Sequence, residues 1–333
     1  MQTITLIYGD GIGKEVIASA KAIVEASGAK VDWEVQEAGA EAAEKYGKPI
    51  DDAVLESISR NGVALKGPTA TPIGKGFRSV NVEIRKRLDL YVNLRPLRSF
   101  EGVKSLYQNI DLTIVRENTE GLYIGIEKQV DEGRAEATKV ITKKASDRIV
   151  KYAFDYAKDM GKKKVIAIHK ANIMKCTDGM FLRIAREIAP EYPEIEFDDM
   201  IIDALCMRLV QDPSKFDVMV MPNLYGDIVS DLCAGLVGGP GLAPSANVGH
   251  GKAIFEAVHG SAPQIAGQNI ANPTALILSG AMMLCHIGEA EAAAKIENAV
   301  SSIIEEGKEL TTDLGGTLGT KEYAEALIKK ITA

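Results

Sequence analysis

The sequence predicts an α/β protein built on a largely parallel sheet. Three observations lead to that class. Short apolar runs alternate with helical periodicity along most of the 333 residues, the pattern of strands joined by crossover helices. A hydrophobic share of 46% and a charged share of 26% describe a globular chain able to bury a large core. The stretch "GDGIGKE" (9–15) stands between the first apolar run and the first helical pattern, where a strand must turn into a helix.

The elements follow in order. "ITLIY" (4–8) is an unbroken apolar and β-branched run and reads as a buried strand. Helical spacing follows from 14 to 27. "VDWEVQ" (31–36) alternates, 39–46 and 52–60 are helical, and "VALKG" (63–67) is a strand. "LTIVRE" (112–117) leads into "GLYIGIEKQV" (121–130) and "EATKVITK" (136–143), two strand patterns with no helix between them. They read as a protruding antiparallel arm. Then come helix 146–160, strand "KVIAIH" (164–169), helix 178–189, strand 195–202, helix 203–211, strand "DVMVM" (217–221) and helix 225–236. The tail is helical over 273–286, 289–306 and 321–331. The stretch "GLVGGPGLAPSANVG" (235–249) reads as a hinge or domain crossing.

Charge and cysteines narrow the function. A formal charge of −7 argues against nucleic acid or an anionic membrane as partner. Cys176, Cys206, Cys233 and Cys285 are too scattered for a zinc site or a disulfide framework. They fit reduced thiols in a cytoplasmic protein. The chain opens on "TITLIYGDG", a strand and a turn, so neither export nor a membrane span is expected, although a processed organellar chain would open the same way.

The glycines do not make a dinucleotide fingerprint. Gly9, Gly11 and Gly13 alternate, and Lys14 stands where the third small residue of G-x-G-x-x-G would pack. The turn reads as one needing positive φ beside a ligand.

The charged residues are more telling. "FRSVNVEIRKRLDLYVNLRPLR" (77–98) holds five arginines and one lysine against two acids, in an acidic chain. Arg85, Arg95, Arg98 and Arg116 lie on or beside strands and a short helix. Converging guanidinium forks suit a small polycarboxylate. Arg78, Lys86 and Arg87 read as surface ion pairs, and Ser79 and Asn81 as helix caps. In "YGDIVSD", Asp227 and Asp231 are one turn apart on an otherwise apolar helix. They are either solvated surface acids or a pair that shares a divalent cation. Asp203 reads by itself as an N-cap. Tyr123 and Lys170 carry little weight by pattern alone.

Together "GDGIGKE", "LKGPTATP", "RKRLDLYVNLRP", "VRENTEGLY", "HKANIMK", "PNLYGDIVSDL", "VHGSAPQIAG" and "NPTALILSGAMML" resemble the metal-dependent β-decarboxylating dehydrogenases. That family acts on isocitrate, homoisocitrate and 3-isopropylmalate. The likeness covers nearly the whole chain and is fullest for the NAD-dependent, isocitrate-oxidising branch. It implies a fold that is not Rossmann, with two domains around mostly parallel sheets. Residues 1–98 plus 239–333 would form the large cofactor-binding domain, and 99–238 the small one. The arm, at about 121–143, would join two subunits into a homodimer with shared active sites.

Roles follow from the same resemblance. Arg85, Arg95 and Arg116 would hold the α- and β-carboxylates, and Ser79 and Asn81 the γ-carboxylate. Asp227 and Asp231 would bind Mg²⁺ or Mn²⁺ together with Asp203 of the other subunit. Tyr123 and Lys170 would be the catalytic pair, with Lys170 reaching in from that subunit. Thr71, Asn172, His259, Gly260, Ser261, Ala262, Gln264, Ile265 and Asn272 would contact NAD. The implied reaction oxidises isocitrate at C2 and releases CO₂ to give 2-oxoglutarate, with Lys170 as base, Tyr123 as acid and the cation acidifying the hydroxyl.

The departures concern specificity. Ser79 and Asn81 are polar where an isopropylmalate enzyme needs apolar side chains. NADP forms carry Lys-Tyr in place of Gln264-Ile265, and Tyr and Arg in place of Thr312 and Gly316. NAD is therefore expected, although Gln264 supplies no charge to repel a 2′-phosphate. The alternatives are a homoisocitrate or 3-isopropylmalate enzyme and a non-catalytic regulatory subunit.

Overall fold

The computed structural model describes residues 1–72, 77 and 79–333. Arg78 lies outside the described residues. The chain runs β1 (Gln2–Ile7), α1 (Gly13–Ala26), β2 (Val31–Gln36), α2 (Ala40–Tyr46), α3 (Asp52–Asn61), β3 (Val63–Lys66), α4 (Val80–Arg87), β4 (Val92–Arg98) and β5 (Asp111–Glu117). Next come β6 (Glu127–Asp131), β7 (Arg134–Ala137), α5 (Lys143–Asp159), β8 (Lys164–His169), α6 (Thr177–Ile188), β9 (Glu196–Ile201), α7 (Ile202–Gln211), β10 (Val218–Met221) and α8 (Asn223–Leu236). The chain closes with β11 (Pro244–Gly249), β12 (Lys252–Ala257), α9 (Thr274–His286), α10 (Ala290–Glu306) and α11 (Thr320–Thr332).

Among the described residues, ten strands form one sheet, in the order β2-β1-β3-β12-β11-β4-β5-β10-β8-β9. The pairings are parallel toward both edges. They turn antiparallel in the middle, where β12, β11, β4 and β5 meet. Helices cover both faces, as a parallel sheet requires. One cluster packs Ile4 and Leu6 of β1 against α1, α9, α10 and α11, and continues to α5 and α6. On the other side, α3 and α4 cover one half, and α7 and α8 the other.

Three expectations need correction. Residues 244–249 are not hinge but strand β11, and "KAIFEA" (252–257) is its unpredicted hairpin partner β12. Pro244 opens β11, where a missing N–H costs least. The arm is shorter than predicted. Its first part is a 3₁₀ turn over Leu122–Ile124, and its strands are confined to β6 and β7. Asp203 is not an N-cap, because it sits inside the first turn of α7. The first turn of the chain behaves as expected, with Gly9 at φ 73° and Gly11 at φ 58°.

Candidate active site

Strand alternation builds the first part of the site. Period two along β4 sends Asn93 and Arg95 to one face, and Asn93 Oδ1 accepts from Arg95 Nε at 2.6 Å. Across the antiparallel ladder, Asn93 stands opposite Arg116 of β5. Arg85 joins them from the last turn of α4. All three arginines are buried. Burial and the neighbouring Arg116 push Arg95 down to about 9, against the pull of Asp227. Arg98, by contrast, is exposed over the Phe100 ring and stays outside the group.

Helix α8 brings the acids. Asp227 and Asp231 share a face one turn apart. Arg116 Nη1 donates to Asp227 Oδ1, and Tyr123 Oη donates to Asp227 Oδ2. Arg95 Nη2 is 3.6 Å from Asp227, and its Nη1 is 3.7 Å from Asp231. Asn223 Oδ1 accepts from Arg116 Nη2 at 2.8 Å, and Ser230 Oγ accepts from Arg95 Nη1. Gly226 lets helix and strand approach, since a Cβ there would overlap the Arg116 side chain. Burial would raise the Asp227 carboxyl, but Arg116, the Tyr123 bond and Arg95 hold it below the usual range. Burial pushes Asp231 up; Arg95 opposes this and the charge on Asp227 adds to it. Burial and the Asp227 bond likewise push the Tyr123 phenol up, so it is held as a proton donor.

Among the described residues, a second pair forms without joining Asp227 and Asp231 in a group of three acids. Lys170, just past β8, pairs with Asp203 of α7. That bond holds the Asp203 carboxyl below its usual range. Within one chain, and among the described residues, no group of three His, Cys, Asp or Glu able to hold a metal forms. Asn172, two residues beyond Lys170, is exposed, as is Thr71.

Ser79 and Asn81 have local work. Ser79 Oγ accepts from Val82 N at 3.5 Å at the start of α4, and Asn81 Oδ1 accepts from Thr69 Oγ1 at 3.0 Å. Lys86 and Arg87 have protein partners: Lys86 Nζ donates to Ile124 O, and Arg87 pairs with Asp52.

The segment 258–267 packs on the first turn of the chain, with Ile12 N donating to Ser261 O at 2.9 Å. Ala262 takes a left-handed φ of 37°, Gly260 and Gln264 are exposed, and Ile265 packs on the core. His259 Nδ1 donates to Gly260 O at 3.0 Å, which leaves Nε2 as an acceptor. That atom is buried and has no partner among the described residues. Burial pushes His259 below its ordinary range, so the ring stays neutral. An unpartnered buried acceptor beside an open loop fits a bound cofactor. Asn272 is less free, because Oδ1 accepts from Thr274 N at 2.9 Å and Nδ2 donates to Asp313 at 2.9 Å. The carboxylates of Asp203, Asp227 and Asp231 are the hard oxygen donors that Mg²⁺ and Mn²⁺ prefer, so they fit such an ion by chemistry.

Sequence reasoning missed the support beneath the arginines. Lys66 Nζ lies 2.6 Å from Glu256 Oε2, and Arg85 Nη2 lies 3.1 Å from Glu256 Oε1. Asn247 Nδ2 donates to the same carboxylate at 2.7 Å. Burial would raise Glu256, but Lys66 and Arg85 bring it down to about 2. A lysine ending an otherwise apolar strand, in "VALK", is the signal that could have found it.

Residues 3–327 match the family model described as isocitrate/isopropylmalate dehydrogenase. The chain belongs to that family. It is similar to a mitochondrial regulatory subunit of NAD isocitrate dehydrogenase from Dictyostelium discoideum, 54% identical over 100% of this chain and 92% of that one. It is equally similar to catalytic subunit 5 of the mitochondrial NAD isocitrate dehydrogenase of Arabidopsis thaliana, 54% identical over 98% and 87%. The crystal structure of isocitrate dehydrogenase from Methylococcus capsulatus matches with a TM-score of 0.98 at 53% identity, over 100% of both chains. The family fold is therefore the one expected. The cytoplasmic expectation is overturned, because relatives of this similarity are named as mitochondrial. Reduced cysteines could not separate two compartments that both keep thiols reduced.

Proposed function

We propose that the protein is a catalytic isocitrate dehydrogenase that oxidatively decarboxylates isocitrate to 2-oxoglutarate with NAD. One observation carries this most: three guanidiniums, from α4, β4 and β5, are buried together, and burial plus the neighbouring arginine charges lowers the proton affinity of Arg95 and Arg116. Such a group is best relieved by a polyanion. Arg85, Arg95 and Arg116 bind the α- and β-carboxylates, and Ser79 and Asn81 the γ-carboxylate. Bound NAD supplies the hydride acceptor, and a Mg²⁺ or Mn²⁺ ion on Asp227, Asp231 and Asp203 supplies the charge that acidifies the substrate hydroxyl. Lys170 takes the hydroxyl proton. Tyr123, held protonated against Asp227, returns a proton at C3 after CO₂ departs. Thr71, Asn172, Gln264 and the 258–265 loop bind the cofactor.

The site is read as shared between two copies of the chain. Its support is that Asp203 does not gather with Asp227 and Asp231 into one metal-binding group within a single chain, among the described residues. The same reading divides the chain into residues 1–98 plus 239–333 and residues 99–238. Its support is the strand order, in which the first set runs from β2 to β4 and the second from β5 to β9.

The relatives include both catalytic and regulatory subunits, so the first test is turnover by the purified chain alone. NAD and NADP reduction is followed with isocitrate, homoisocitrate and 3-isopropylmalate, with Mn²⁺ or with chelator. Isocitrate with NAD is expected to be fastest, and chelator to abolish turnover. No turnover without a second gene product would replace this reading with the regulatory one.

A further inference from the structure

Lys170 must be aimed accurately, yet it stands on the corner just past β8. The anchor of that corner is Asp178, in the first turn of α6 and 0% exposed. Its Oδ2 accepts from the Lys170 backbone N–H at 2.8 Å and from Tyr225 Oη at 2.8 Å. Its Oδ1 accepts from Lys139 Nζ. Lys139 lies just past β7, beside the bridge of Val140 to Gly121 at the base of the arm. Its ammonium also sits 4.7 Å from the Tyr225 ring centre. Tyr225 lies in the first turn of α8, two residues before Asp227. A buried carboxylate needs compensation, and this one draws it from three separate elements.

We propose that Asp178 is a positioning residue, fixing the Lys170 corner against the first turn of α8 and the base of the arm. The proposal rests on the catalytic reading of Lys170 given above. In a shared site, Lys170 and α8 of one chain serve different active centres. Asp178 is then the junction between the two centres.

The test uses the full-length protein, with Asp178→Asn and Tyr225→Phe. Three quantities are measured: steady-state kinetics with isocitrate, NAD and Mn²⁺; the primary isotope effect with isocitrate deuterated at C2; and hydrogen exchange over residues 169–175. Asp178→Asn is expected to lower kcat about 10- to 100-fold, with KM for isocitrate within about twofold. The isotope effect should change and exchange at the corner should quicken. Tyr225→Phe should move all three in the same direction by less, at unchanged melting temperature, and it carries the test if Asp178→Asn does not fold. Unchanged kcat and unchanged corner exchange in Tyr225→Phe would overturn the proposal. So would an Asp178→Asn enzyme whose kcat and isotope effect match wild type. Wild-type protein inert toward isocitrate would refute the proposed function instead, and unchanged exchange protection in both variants would still refute this one.

Discussion

Asn81 shows how little of a single residue's role its sequence setting declares. It reads as a helix cap, yet it bonds Thr69 from the second position of α4. If it meets the γ-carboxylate, Asn81→Leu should lower kcat/KM for isocitrate by about tenfold or more, while the melting temperature stays close to wild type. A variant with full kcat/KM would remove the specificity argument. Glu256 gives a second test at this scale. Its carboxyl falls from an ordinary 4.5 to about 2 on folding, so its contribution to stability is complete above about pH 4.5 and fades as pH drops toward 2. Glu256→Gln should cost about 3–5 kcal/mol at neutral pH and flatten stability across that acid window, as read from melting temperature against pH. The arginines were legible because a cationic cluster in an acidic chain is a visible anomaly. Lys66 and Glu256 were not, because only the pairing of β3 with β12 brings them side by side.

At the level of elements, patterning worked where burial follows one period. The outer parallel strands and the long helices fell within a few residues of their predicted positions. It failed over 244–257, where Pro, Ser, Asn and Gly imitate a loop. Burial of β11 between β4 and β12, and of β12 between β3 and β11, decides that segment, and composition does not record it. The arm raises the opposite problem. β6 and β7 form a two-stranded sheet of their own, almost wholly exposed, with Ile126 and Val130 in water. A lone hairpin is marginal by itself. If the arm joins two copies as proposed, deleting residues 126–138 should yield monomers without isocitrate turnover while each monomer keeps its fold, as followed by light scattering, circular dichroism and assay. A deletion that stays dimeric would remove the arm from the interface.

For the molecule as a whole, the proposed sharing of Lys170 and Asp203 with the other copy's Tyr123, Asp227 and Asp231 makes a complementation prediction. Lys170→Ala and Asp227→Asn should each be inactive alone. In a dimer formed from one of each, one site draws all its groups from intact sequence. Dissociating and reassociating an equal mixture should therefore restore about a quarter of wild-type activity. No recovery would mean that each chain works alone. Placing Lys170 and Asp203 on the other subunit came from the family resemblance and not from any residue pattern; the compartment was not legible, because it leaves no mark on a core.

The ladder between β4 and β5 runs unbroken from Val92 opposite Glu117 to Arg98 opposite Asp111. Arg95 and Arg116 ride on the two strands between which the proposed division of the chain falls. Any splaying of those two parts would twist the rails that carry these fingers. If the proposed halves move, grip and posture become a single mechanical variable, because the fingers are rooted in the seam itself.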